Sequence, residues 1–164
     1  MDVATVALGS NLGNKKENLQ KSVRLIAAEN KVIQLSKLYR TAPYGITEQD
    51  DFLNAAIQIE TSKNPLELLQ FLLNIEKTMG RVRGKKWGPR IIDLDIIFFD
   101  HLVVNEPELI IPHPDYKNRN FVLLPLADIM PDFVPPGEFE TIEALTKKID
   151  RYTGIKIEEE VWIQ

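Results

Sequence analysis

The order in which apolar residues change their spacing along the first hundred positions constrains this chain most. Val3–Leu8 is a short β-prone run ending at Gly9 and predicts a buried strand. After the turn Gly9-Ser10-Asn11-Leu12-Gly13-Asn14, Leu19, Val23 and Ile26 recur at helical spacing. They predict an amphipathic helix over 15–29 with Asn14 as its N-cap. Val32–Tyr39 predicts a second strand, and Phe52–Thr61 a third that carries Phe52, Asn54, Ala56 and Gln58 on one face. Asn64-Pro65 opens a second helix that runs to Gly80, and Leu94–Phe99 is a fourth strand. Strand–helix–strand–strand–helix–strand is an α+β order, the ferredoxin-like βαββαβ core, with both helices on one face of an antiparallel sheet. Residues 101–164 form a C-terminal extension. It is predicted to add a hairpin around 102–104, helices over 121–128 and near 141–150, and at 155–163 either an edge strand or a tail.

Composition narrows the class. At 164 residues, with 44% hydrophobic and 27% charged, the chain is expected to form one globular domain over 1–164. Zero cysteines exclude disulfides, thiolate metal sites and a cysteine nucleophile. Twenty basic against 24 acidic residues give a net charge of −4, the wrong sign for a general nucleic-acid binder. No apolar run approaches the ~18 residues of a membrane span, and the N-terminus lacks the basic start of a signal peptide. A cytoplasmic monomer that binds neither nucleic acid nor membrane is the expectation.

Against that acidic background, Arg81–Arg90 holds five positive charges and no negative one. Its two glycines and one proline make it a loop, suited to gripping phosphate oxygens with bidentate guanidinium groups; alone, a solvated charge run fits equally well. Asp93 and Asp95 follow, two apart on the fourth strand, so their side chains leave one face about 6.6 Å apart. Two carboxylates on a strand flanked by Leu94, Ile96, Ile97, Phe98 and Phe99 repel each other and are costly to desolvate. A bound divalent cation offsets that cost, and magnesium favours one or two carboxylates with substrate phosphates. The bland alternative is a salt-bridged strand end.

Other features say less. Gly13-Asn14-Lys15 lacks the P-loop spacing, in which lysine directly follows the second glycine, so this segment is expected to be a structural turn. His113, in Ile-Pro-His-Pro, fits a structural role as well as a functional one, and aromatic residues are core or surface groups by default. Asn54 stands out: its carboxamide presents donor and acceptor side by side, matching the edge of a purine-like ring.

Trp87-Gly-Pro-Arg90-Ile-Ile-Asp93-Leu-Asp95-Ile-Ile resembles the signature of the 6-hydroxymethyl-7,8-dihydropterin pyrophosphokinases of folate synthesis. ALGSNLG, YRTAPYG, FLNAA, IEKTMGRVR and IPHPDYKNRNFVLLPL extend the likeness over roughly residues 3–136. The resemblance implies transfer of the β,γ-pyrophosphoryl group of ATP to the pterin hydroxymethyl oxygen, with release of AMP. It implies that Asp93 and Asp95 hold two Mg²⁺ ions, that Arg81 and Arg90 stabilise the phosphates, and that Arg83 and Lys86 assist. Glu76, Ile96, His113, Arg119 and Trp87 would serve the ATP side. Phe52 and Phe121 would sandwich the pterin, Asn54 would pair with its amide edge, and Thr41, Ala42, Tyr44 and Trp87 would complete the pocket. Three positions depart from the pattern: Lys86 stands where many members have arginine, Ala42 where proline is frequent, and Glu108 where some carry a basic residue.

Two other classes share parts of this pattern. An RNA-recognition module has the same element order but exposes a basic–Gly–aromatic–Gly signature that Phe52–Thr61 lacks. A regulatory domain that only binds a small molecule predicts ligand binding without magnesium dependence.

Overall fold

The computed structural model describes residues 1–42, 50–81, 90–149 and 154–163. Along the chain come β1 (Asp2–Ser10), α1 (Lys15–Ala27), β2 (Lys31–Leu35), β3 (Leu38–Thr41), β4 (Phe52–Thr61), α2 (Pro65–Thr78) and β5 (Asp93–Phe99). The extension contributes β6 (Val104–Asn105), β7 (Ile110–Ile111), α3 (Asn120–Ile129), α4 (Ile142–Thr146) and β8 (Ile155–Glu159). The main sheet runs β5-β1-β4-β3-β8, with β2 also paired to β4, and its pairings are antiparallel. This is the expected ferredoxin-like core. Among the described residues no helix is long and apolar enough to cross a membrane.

Local chemistry fixes the helix starts. Asn14 Oδ1 accepts from the Glu17 amide, and Asn64 with Glu67 forms a reciprocal capping box with Pro65 in the first turn. The apolar stripes of α1 and α2 (Leu19, Val23, Ile26; Leu68, Leu72, Ile75) pack on the sheet face that carries Val6, Leu8, Leu53, Ala55 and Ile57.

The second predicted strand is corrected: it is two strands, broken at Ser36-Lys37. Ser36 bonds Ala56 through both its amide and its hydroxyl, so a side chain replaces part of the ladder there. The Lys37 amide turns away to donate to Asp128 on α3, whose carboxylate also accepts from the Tyr39 hydroxyl at 2.8 Å. The hairpin lies slightly later than predicted, pairing 104–105 with 110–111. The helix near 141–150 shortens to Ile142–Thr146, with residue 150 outside the described residues.

The open alternative at 155–163 resolves as an edge strand, since β8 pairs with β3. Beyond it Trp162 is 4% exposed in the main core, its indole N–H donating to the Ser36 carbonyl at 2.8 Å. The extension also closes the second face of the sheet, where Leu123, Leu126, Ile129 and Ile142 pack on Ala56 and Phe98. Near one end of that face the sheet side chains are small, Ala7 and Gly9, and a space remains under α3.

Candidate active site

That space is a cavity of about 240 Å³. Its floor is three adjacent strands in register: Gly9 on β1 faces Asn54 on β4 and Asp93 on β5. Asp95, two residues on, follows the same face, so the strand period brings both carboxylates to one wall. Thr41, Ala42, Phe52 and Asn54 form one side, and Arg90, His113, Arg119 and Phe121 complete the lining.

The polar end is electrostatically uneven. Asp93 accepts from Arg81 and from Arg90, each at 3.0 Å. Asp95 has no hydrogen-bond or ion-pair partner among the described residues. Burial, with the charges of Asp93 and Glu76 beside it, pushes the Asp95 carboxyl up to about 7. Glu76, 4% exposed on α2, accepts from the Leu94 amide at 2.7 Å and pairs with Arg81 at 2.6 Å. Burial raises its proton affinity too, against the pull of those partners.

A half-buried carboxylate without a protein partner, next to a second one, is the donor set a hard divalent cation takes up. Among the described residues no group of three or more His, Asp or Glu clusters as a closed metal cage.

The other end is aromatic, with a carboxamide at its edge. Phe52 and Phe121, both half-buried, line it. Asn54 Nδ2 donates to Thr41 Oγ1 at 2.7 Å, which fixes the carboxamide plane. Arg119 lies 5.8 Å from the centre of the Phe121 ring. His113 Nδ1 accepts from the Asp115 amide at 3.1 Å, so its proton sits on Nε2, and burial lowers its proton affinity; it is a neutral donor.

The structure thus gathers Asp93, Asp95, Arg90, His113, Arg119, Phe52, Asn54, Phe121, Thr41 and Ala42 around one cavity, with Arg81 held on Asp93. Besides Arg81, two predicted positions among the described residues do not line it. Ile96 points into the core on the opposite face, where the strand period sends it, and Glu76 is buried behind Arg81 and Leu94. Tyr44, Arg83, Lys86 and Trp87 lie outside the described residues. Sequence reasoning missed two neighbours. A Cβ on Gly9 would come within 2.9 Å of Asn54 Oδ1; glycine inside a strand pattern was the available signal. Asn11, 2% exposed, bonds the Arg90 backbone at 2.7 and 3.0 Å, and nothing local in the sequence foretells that.

The family described as 7,8-dihydro-6-hydroxymethylpterin-pyrophosphokinase (HPPK) matches residues 5–131. A 2-amino-4-hydroxy-6-hydroxymethyldihydropteridine pyrophosphokinase of Methylorubrum extorquens is 43% identical over 152 residues, 92% of this chain and 95% of that one. One of Bacillus subtilis is 44% identical over 130 residues, 78% of each chain. Among solved structures, the Plasmodium falciparum HPPK-DHPS with pterin and p-hydroxybenzoate superposes with a TM-score of 0.79 at 19% identity, over 95% of this chain. This chain spans about half the length of that one, 46%.

Proposed function

Since the chain belongs to the 7,8-dihydro-6-hydroxymethylpterin-pyrophosphokinase family, we propose that it moves the β,γ-pyrophosphoryl group of ATP onto the hydroxymethyl oxygen of 6-hydroxymethyl-7,8-dihydropterin, releases AMP, and depends on two Mg²⁺ ions held by Asp93 and Asp95. The observation that carries this reading is that Asp95, with no direct protein partner among the described residues, sits beside Asp93 in one cavity with an aromatic, carboxamide-edged slot. Held by Asp93 and Asp95, magnesium would supply charge neutralisation and lower the proton affinity of the attacking alcohol.

The chain's own residues do the rest by positioning, as phosphoryl transfer requires. Phe52 and Phe121 hold the pterin between their rings, and Asn54 meets its amide edge. Thr41 keeps that carboxamide turned, while Ala42, with Tyr44 and Trp87, closes the ring pocket. Arg81 and Arg90 leave Asp93 for the phosphates as ATP enters, following the charge that moves to AMP; Arg83 and Lys86 assist them. Neutral His113 donates from Nε2 on the nucleotide side, beside Arg119. Glu76 acts behind the site by holding Arg81, and Ile96 by backing the strand.

AMP release from ATP, magnesium and the hydroxymethyl-dihydropterin tests the reading. Chelation of the divalent cation is expected to abolish it, and AMP formation that persists undiminished in excess chelator would overturn the metal assignment. Gly9→Ala probes the ring slot. Its methyl displaces Asn54, which Thr41 prevents from yielding freely, so pterin affinity is expected to fall about tenfold, the scale of one hydrogen bond. Nucleotide affinity is expected to stay within about twofold; calorimetric titration reads both, and equal weakening of the two ligands would count against the assignment of that slot.

A further inference from the structure

The turn between β1 and α1, set aside in the sequence as a structural turn, reaches both halves of the cavity. Asn11 Oδ1 accepts from the Arg90 amide at 2.7 Å, and the Asn11 amide donates to the Arg90 carbonyl at 3.0 Å. These two bonds close a ring that fixes the Arg90 main chain three residues before Asp93. The same carboxamide donates through Nδ2 to the Asp50 carbonyl at 3.4 Å, and Lys15 Nζ donates to the neighbouring Asp51 carbonyl at 3.1 Å. Asp50 and Asp51 directly precede Phe52. One buried side chain therefore ties the backbone of a phosphate-side arginine to the strand end that presents the ring-side aromatic.

We propose that Asn11 is a positioning residue of the transfer reaction, setting the Arg90 backbone through its oxygen and the approach to Phe52 through its amide nitrogen. This rests on the pyrophosphokinase reading above. The oxygen arm has the shorter contact and the second backbone bond beside it, so it dominates. Losing it frees Arg90 to shift by a fraction of an ångström to an ångström, enough to impair in-line transfer without removing any group that touches substrate.

The two arms can be separated. Asn11→Ala removes both; Asn11→Asp keeps the acceptor for the Arg90 amide and loses the donor to Asp50. AMP formation is measured with ATP and the hydroxymethyl-dihydropterin each varied, alongside circular dichroism and thermal unfolding. Asn11→Ala is expected to lower kcat about 10- to 100-fold. Asn11→Asp is expected to recover most of kcat and to keep KM for ATP near wild type, while KM for the pterin stays raised. A merely structural asparagine would not give that split. Wild-type kinetics in Asn11→Ala, or an Asn11→Asp variant that raises both KM values equally without recovering kcat, would overturn the proposal. If Asn11→Ala does not fold, the KM split in Asn11→Asp decides alone. A wild-type protein that forms no AMP would overturn the pyrophosphokinase reading itself, and the role proposed for Asn11 with it.

Discussion

Asp95→Ala is expected to lower turnover by at least ~10³-fold with the fold intact, the scale of losing metal charge stabilisation at a transferring phosphoryl group. The geometry sets Asp95 apart from its neighbour. Asp93 already shares its oxygens with Arg81 and Arg90, whereas Asp95 has no ionic partner among the described residues and looks onto the cavity. Near-wild-type AMP production by the alanine variant would overturn its assignment to the metal.

The same carboxylate carries a stability signature in the absence of ligands. Its proton affinity is raised from an ordinary 3.8 to about 7, chiefly by burial and then by Asp93. Between those limits the folded form holds the proton more tightly than the unfolded form, so stability falls as pH rises through the interval. Asp95→Asn removes that dependence. At pH 8 and without divalent cation it is expected to unfold at a higher temperature than wild type. Each tenfold change in proton affinity is worth about 1.4 kcal/mol, and screening at the cavity brings the gain to about 2 kcal/mol, or roughly 4–8 °C. The gain is expected to vanish below about pH 3, where both states are protonated. Added Mg²⁺ with nucleotide is expected to stabilise wild type and not the variant, and a variant no more stable than wild type at pH 8 would contradict the uncompensated charge.

Trp162→Ala is expected to cost about 3–5 kcal/mol, the range for truncating a buried tryptophan. Its ring fills the main core, its indole caps the carbonyl at the break between β2 and β3, and its own carbonyl accepts from Gln20 of α1 at 2.6 Å. The thermal midpoint is expected to fall by roughly 10 °C, while turnover measured well below it stays close to wild type. A loss under ~1 kcal/mol would mean that the C-terminal segment only rests on the domain.

These residues also mark how far the sequence could be read. The core order was legible because strand and helix periods differ and no linker intervenes, and the Asp93–Asp95 pair because one strand period decides where both carboxylates point. The break at Ser36 was invisible, because it is made by bonds to Ala56, Asp128 and Trp162, from 20 to 126 residues away. Trp162 sits in the three-residue apolar run Val161-Trp162-Ile163, too short to show a period, so nothing local separated a docked tail from a loose one. Helix and strand phase turn Glu76 and Ile96 away from the cavity, a placement that the motif alone did not disclose.

Gly9 sits between Asn54 and Asp93 with one strand on either side. The separation between the ring slot and the acidic wall is therefore two inter-strand steps, roughly 10 Å, a gauge cut by peptide hydrogen bonds. Rotamers can retune either end, but none can lengthen that interval. A molecule reaching from one end to the other has to match it.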